Sequence, residues 1–283
     1  MTENLPPADP GEILTETTLV PTTLGELGGI LPHTRQPFRF HPPTMGTMKR
    51  LGALDADGKL RKYPGRYLAY FLGGALAELG GKDCGAPGVT DTGATLVLAL
   101  PTGDVFALML AWKRSTTPKG ADLGAGECGK CGAPFGSMVL DLGEVQVLAL
   151  PEGAEPPAAR VGLQEGFAFP AGQVVRTVVV KPPTWGESFA ALPAVAWGNP
   201  AALTLATIQA AIAAVDTCRA PRVPAEALDE LHQVDADLIS EALERISPTP
   251  DLVLELDCPS CHHTNQHRID WKDVGFFGGS GRR

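Results

Sequence analysis

The residues in this sequence best suited to chemistry are four cysteines that form two C-x-x-C pairs. Cys128 and Cys131 make the first pair and Cys258 and Cys261 the second, each with a glycine or a proline inside its turn. A C-x-x-C turn directs two thiolates at one cation, and four thiolates complete the tetrahedron that zinc adopts in structural sites. We therefore predict that these four cysteines bind Zn²⁺.

Two other uses of the cysteines remain open from the sequence. In the first, Cys258 and Cys261 close a second site with two of the histidines His262, His263 and His267. The first pair has no nearby histidine, which favours one shared site. In the second, the pairs are redox dithiols. However, a thioredoxin-like C-x-x-C opens a helix, whereas both pairs here precede turn residues and a strand pattern.

The segments that follow the two pairs share one pattern of strand, aspartate, apolar residue, acid and valine. These residues are Val139, Asp141, Leu142, Glu144 and Val145 after the first pair, and Ile269, Asp270, Trp271, Asp273 and Val274 after the second. The order helix, helix, C-x-x-C hairpin also occurs twice. Both observations indicate an internal duplication, for which the sequence outside the hairpins gives little support.

No catalytic motif in the sequence is complete. Residues 124–131 nearly match a phosphate-binding P-loop, but Cys131 stands where a serine or threonine must hold Mg²⁺. His263 and His267 lack the intervening glutamate of a zinc-protease helix. A zinc ion with four sulfur ligands also has no open position for water. We therefore predict that the protein is not an enzyme.

The composition argues against nucleic acid and membranes as partners. The chain has 283 residues, a formal charge of −9 and a sequence pI of about 5.2, so contact with DNA, RNA or anionic lipid is disfavoured. The N-terminus carries no visible secretory signal, and the uncharged stretch 201–215 is too short to cross a bilayer. We expect a cytoplasmic protein that binds other proteins and takes no small-molecule substrate.

Apolar periodicity and turn residues predict an α+β protein. Its helices would pack around a small zinc-ribbon-like β module formed by the two distant C-x-x-C hairpins. Helices are predicted over 66–79, 105–114, 201–215 and 225–232 and after Asp235, and strands over 161–163, 167–169, 174–180 and 252–256. Residues 95–100 fit either a buried strand or a helix turn.

The predicted organisation has five parts. They are a Pro-rich N-terminal arm (1–45), a helical segment with the first hairpin (46–150), a strand-rich connector (151–184), a helical segment with the second hairpin (185–277) and a flexible tail (278–283).

Residues 231–277 resemble the C-terminal part of the T-even phage baseplate hub assembly chaperones and of relatives in other contractile-tail phages. The shared pattern is a helix, a short strand, Cys258-Pro-Ser-Cys261-His, Ile269-Asp270 and the terminal Phe276-Phe277. Leu100-Pro-Thr-Gly-Asp104, Trp112-Lys-Arg-Ser and Cys128-Gly-Lys-Cys131-Gly are similar to their first half. The resemblance covers about residues 40–277, and His262 departs from it by replacing the usual glycine.

The resemblance implies a non-enzymatic phage protein that binds hub or wedge components while a baseplate is built. It would act in the host cytoplasm, and the finished virion tail is a second location that the family allows. The alternative that the residues leave open is a cellular zinc-ribbon adaptor in nucleic-acid machinery, against which the charge of −9 argues.

Overall fold

The structure of the protein is a computed structural model, and it describes residues 12–13, 19–22, 24–25, 27–56, 58–117, 121–169, 173–216, 223–250 and 253–268. Cys218, Asp270 and the predicted tail at 278–283 lie outside these residues. Helices and strands are mixed along the chain, as predicted. Within the described part, no helix has both the length and the apolar character that crossing a membrane requires.

The elements of the N-terminal half, in chain order, are β1 (Glu12–Ile13), β2 (Val20–Thr22), β3 (Gly28–Ile30), β4 (Pro37–Phe40), α1 (Met45–Gly52), α2 (Pro64–Ala75), β5 (Leu76–Leu79), β6 (Lys82–Asp83), α3 (Asp91–Ala99), α4 (Thr102–Thr116), β7 (Ala121–Glu127) and β8 (Pro134–Leu140). Those of the C-terminal half are β9 (Val147–Ala149), β10 (Ala159–Phe169), β11 (Gln173–Val180), α5 (Trp185–Phe189), α6 (Ala194–Trp197), α7 (Pro200–Ala211), β12 (Ile212–Val215), α8 (Ala225–Leu228), α9 (Gln233–Ile246), β13 (Val253–Asp257) and β14 (Thr264–Arg268).

Two antiparallel four-stranded sheets organise the described chain. One has the order β3-β4-β5-β6 and the other the order β1-β10-β11-β12. Each sheet has its own core: Phe40, Leu72 and Leu108 belong to the first, and Val178 and Ile239 to the second. The C-x-x-C hairpins β7-β8 and β13-β14 are separate two-stranded ribbons. We call residues 28–142 the first module and residues 159–268 the second module.

Two long predicted helices end earlier than their apolar spacing suggests. The helix expected over 66–79 stops at Ala75, and the one expected over 201–215 stops at Ala211. The chain continues directly into β5 and β12, which pair with β4 and β11. Leu76 and Leu79 are compatible both with a continued helix and with a buried strand. Pairing with a partner strand therefore determines which of the two structures forms.

The structure also differs from the prediction of an extended N-terminal arm. Of residues 1–45, the described part from Gly28 onwards forms β3 and β4 and contributes to the first core. Leu31 is fully buried, and Phe38 and Phe40 lie in the core on either side of the exposed Arg39. Similarly, the predicted connector 151–184 supplies β10 and β11, which are the two inner strands of the second sheet.

The two modules repeat one another in strand register. In each sheet two matched pairs are followed by a register shift, in which the later strand of the pair, β5 or β12, has one extra residue, and then by a third pair. The pairs are Phe38↔Leu79, Arg39↔Glu78 and Phe40↔Leu76 in the first module and Val178↔Val215, Val179↔Ala214 and Val180↔Ile212 in the second. A shared irregularity at one position supports an internal duplication more strongly than shared topology does, because bulges are specific features of a fold.

A buried aspartate at the start of a helix repeats in the same way. Asp104 in α4 accepts hydrogen bonds from the backbone N–H groups of His33 (2.6 Å) and Thr34 (3.0 Å). Asp235 in α9 accepts them from three consecutive residues in β10, namely Gln164 (2.6 Å), Glu165 (3.2 Å) and Gly166 (2.8 Å). Both side chains are fully buried, so each carboxylate ties the first turn of a helix to the sheet of its module.

A short sequence repeat accompanies the structural one. One motif occurs twice, each time after an inner strand and at the start of a helix. Its two copies are His-Pro-Pro-Thr-Met-Gly at 41–46 and Lys-Pro-Pro-Thr-Trp-Gly at 181–186. Thr44 and Thr184 are the N-caps, and the hydroxyl of each accepts a hydrogen bond from the N–H three residues later. This Pro-Pro-Thr-x-Gly motif is the clearest signal of the duplication outside the cysteine hairpins.

We predict that Asp104→Ala and Asp235→Ala each lower the free energy of unfolding by about 2–4 kcal/mol, because each substitution leaves buried backbone N–H groups without a hydrogen-bond acceptor. Urea unfolding at neutral pH measures this loss. Asp237→Ala, at an exposed position of the same helix as Asp235, is the matched control and should change stability little. An equal loss at position 237 would contradict the anchoring role.

We also predict a pH-dependent effect of His33→Leu. Burial lowers the pKa of His33 to about 4 and raises that of Asp104 to about 6. The unfolded chain therefore takes up a proton at His33 near pH 6.5, which the folded protein does only near pH 4, so acidification through this window favours unfolding. As the pH falls from about 6.5 to about 4, the free energy of unfolding of the variant should rise by up to about 3 kcal/mol relative to that of the natural chain.

Unfolding curves of both proteins across that pH range test this gain. His232→Leu, at an exposed histidine, is the control and should show no such gain. A difference between His33→Leu and the natural chain that stays constant with pH would show that His33 does not titrate as its burial requires.

Candidate metal centre

Each C-x-x-C pair lies in the turn of a two-stranded hairpin, and the two turns have the same backbone hydrogen bonds. In β7-β8, Cys128 N–H donates to the carbonyl of Ala133, and Gly132 N–H donates to the carbonyl of Cys128. In β13-β14, the same two bonds join Cys258 to His263 and His262 to Cys258, and all four distances are 2.9 Å. The predicted strand–turn–strand pattern at both pairs is therefore present.

The residue after each pair adopts a left-handed backbone conformation. Gly132 has a φ of 70° and His262 a φ of 54°. Glycine adopts this conformation without steric cost, whereas a residue with a Cβ is uncommon there. The turn geometry therefore explains why glycine is the expected residue after a C-x-x-C pair, and it identifies His262 as the strained member of the two turns.

The four thiols meet at one point between the two hairpins. The Sγ atoms of Cys128, Cys131, Cys258 and Cys261 all lie within 4.8 Å of one another. Cys128 Sγ is 3.8 Å from Cys261 Sγ, and Cys131 Sγ is 3.6 Å from Cys258 Sγ. Four sulfurs at about 2.3 Å from a tetrahedral ion would lie about 3.8 Å apart, so the cluster has the dimensions of a metal–thiolate site.

Backbone N–H groups in the first turn favour the thiolate form of Cys128. The N–H of Cys131 is directed at Cys128 Sγ, and that of Lys130 lies 3.4 Å from it. These donors, with the Cys131 N–H contributing most, lower the pKa of Cys128 to about 6. A thiolate already stabilised at neutral pH binds a cation without first losing a proton.

Asn265 connects the two hairpins beside the sulfurs. Its amide Nδ2 donates to the carbonyl of His263 (2.9 Å) and lies 3.6 Å from Cys128 Sγ. Its Oδ1 accepts a hydrogen bond of 2.9 Å from the N–H of Gly129 in the other hairpin. The side chain is buried, so it fixes the position of one turn against the other. No pattern in the sequence predicts this role, because an isolated asparagine in a hairpin is commonplace.

The rival arrangement, with histidines closing a second site, is not the one the described residues form. The side chains of His262 and His263 are exposed, and among the described residues the group able to hold a metal consists of the four cysteines alone. The side chain of His267 lies outside the described part. Cys84, which also stands alone in the sequence, is buried in the first core as a small apolar residue.

The four cysteine residues differ in their exposure to solvent. Cys128 and Cys258 are buried, Cys261 is half-buried and Cys131 is exposed. Four ligands from one cluster leave no coordination position for a substrate, so the chemistry available to a bound ion here is cross-linking. The ion would join residues more than 120 positions apart in the chain.

Comparisons of this chain with protein-family models, with curated proteins and with solved structures find no match.

We predict that Cys128→Ser and Cys261→Ser destabilise the metal-loaded protein by similar amounts. A single shared ion is lost in either case, so the double variant should cost little more than one substitution. Thermal unfolding at a fixed metal concentration provides the three values. Ser260→Ala, at an exposed turn residue between two of the cysteines, is the control. Additive losses would instead indicate two independent sites.

Proposed function

We propose that the cysteine cluster is a structural Zn²⁺ site at the centre of a zinc-ribbon-like module. We further propose that the protein is a non-enzymatic assembly factor that binds other proteins. The observation that carries this proposal is the origin of the ligands, since each module of a duplicated chain contributes one cysteine pair.

The ligand set supports zinc over other metals. Four thiolates are soft ligands, which disfavours magnesium and calcium, and the near-tetrahedral spacing of the sulfurs suits a d¹⁰ ion that has no other geometric preference. An iron centre held by four cysteines has similar dimensions, and its colour and absorption distinguish it from zinc.

The site is suited to holding two protein parts together. The hairpins extend from different modules and meet through the sulfurs and through the bond between Asn265 and Gly129. A metal at this point closes a long loop of chain, which removes conformational entropy from the unfolded state. Such a cross-link would hold the two hairpins in one relative position, which suits a protein that presents a fixed surface to a partner.

The resemblance to baseplate hub assembly chaperones supports a specific setting for this activity. The cysteine pairs on which that resemblance depends lie in the hairpin turns, and Asp104 of the Leu-Pro-Thr-Gly-Asp segment anchors α4. We propose that the partners are hub or wedge components of a contractile tail, and that the protein acts in the cytoplasm of the host cell.

Elemental analysis tests the metal. We predict about one zinc per chain in the purified protein, and much less in a Cys131→Ser variant, because a site reduced to three thiolates binds the ion more weakly. Lys130→Ala, at the exposed residue beside it, should keep the full zinc content. Protein that contains no zinc, or two zinc ions per chain, would contradict the shared structural site.

Co-expression tests the partner. A tagged chain should co-purify with a hub or wedge protein encoded beside it, and the Cys131→Ser variant should recover less of that partner at equal soluble yield. If the chain instead binds DNA or RNA with an affinity that falls steeply with added salt, the zinc-ribbon adaptor of nucleic-acid machinery is the better explanation.

A further inference from the structure

The two copies of the Pro-Pro-Thr-x-Gly motif have different surroundings. In the second copy, Trp185 is 1% exposed and completes the core of the first module. In the first copy, the equivalent residue is Met45, which is 86% exposed, and Met48 on the same helix is 38% exposed. One copy of the motif is therefore docked within the chain, and the other presents methionines to solvent.

The docked copy shows what this motif binds. The backbone N–H of Trp185 donates to the carbonyl of Leu100 (2.8 Å), and the N–H of Thr102 donates to the carbonyl of Pro183 (3.0 Å). The indole N–H of Trp185 donates to the carbonyl of Gly65 at 2.8 Å. The motif thus forms a short antiparallel bridge with the residues that precede α4, and it inserts its variable side chain beside that helix.

The second module has a counterpart of this receiving surface. Alignment of Asp104 with Asp235 places Leu231 and Gln233, just before and at the start of α9, where the first module has Leu100 and Thr102. Leu231 is half-buried, Gln233 is exposed, and the neighbouring Val234 is 38% exposed. A segment equivalent to the docked motif is thus missing from this surface among the described residues.

The charges of the two unmatched surfaces are opposite. The α1 face consists of Met45, Met48 and the exposed Lys49 and Arg50, whereas the α9 face consists of Leu231, Val234 and the exposed Glu226, Asp229, Glu230 and Asp237. Opposite charges on two surfaces steer their encounter and select against wrong partners.

The residues that flank the docked Trp185 have charged residues at the equivalent positions of the two unmatched faces. Phe106 and Phe189 flank Trp185, with ring centroids at 5.8 and 4.7 Å. At the position of Phe189, the first motif copy has Lys49; at the position of Phe106, the second module has Asp237. The two aromatic residues that flank Trp185 inside the chain thus correspond to two residues of opposite charge on the unmatched faces.

We propose that the α1 face of one copy of this protein docks on the α9 face of a second copy, repeating the contact that Trp185 makes inside the chain. The bridge between Thr184 and Pro101 would recur between Thr44 of one copy and His232 of the other. The contact joins two different surfaces, so it is head-to-tail, and each added copy leaves one face of each kind free. The proposal does not depend on the metal or on the partner proposed above.

Sedimentation velocity of the full-length protein over a wide range of concentration tests the contact. The average mass should rise with concentration, and Met45→Asp or Val234→Asp should each weaken association by about tenfold or more. Leu148→Asp, at a 37% exposed apolar residue in neither face, is the matched control and should associate like the natural chain. A protein that stays monomeric throughout would overturn the proposal.

Mixing the variants tests the direction of the contact. Met45→Asp keeps an intact α9 face and Val234→Asp keeps an intact α1 face, so an equimolar mixture should form dimers and no larger species. Association of Val234→Asp with itself would show that α1 pairs with α1, and it would overturn the head-to-tail arrangement.

Charge reversal tests the ionic part. Lys49→Glu and Asp237→Lys should each weaken association, and the double variant should recover it, because the pair is restored with its signs exchanged. Continued weakness of the double variant would show that these two residues do not meet.

Discussion

The meeting of four thiols from two distant hairpins is the constraint on which the arrangement of this protein depends. Each sheet has its own core, and each core is formed largely by residues of its own module. Among the described side chains, the cluster that the two hairpins share contains Cys128 and Cys258 as its buried members. Four thiolates at this spacing repel one another unless a cation lies between them.

The duplication explains features that look unrelated in one module alone. Three kinds of residue occupy equivalent places in the two modules. They are the buried aspartates at 104 and 235, the N-cap threonines at 44 and 184, and the residues with left-handed backbone at 132 and 262. Since the side chains at most core positions differ between the modules, the repeated groups are the ones that satisfy backbone hydrogen bonds. Backbone geometry, more than core composition, is what the two halves have in common.

Much of the candidate site was predictable from the sequence, because metal ligation needs particular side chains at particular spacings. The four cysteines and their hairpin turns follow from local pattern alone. Asn265 does not, since its role depends on a contact with Gly129 in the distant hairpin. In the fold, α4 and α9 follow from apolar spacing, whereas the strands at 76–79 and 212–215 depend on partner strands that local periodicity cannot reveal.

The docking of Trp185 and Phe189 in the core of the first module sets an order of events during synthesis. That core lacks two of its largest side chains until residue 189 has left the ribosome. The first half therefore cannot finish folding as a free-standing unit while the second half is still being made. Although the architecture is duplicated, the two halves complete their folding together, because the core of the first module needs side chains from the second.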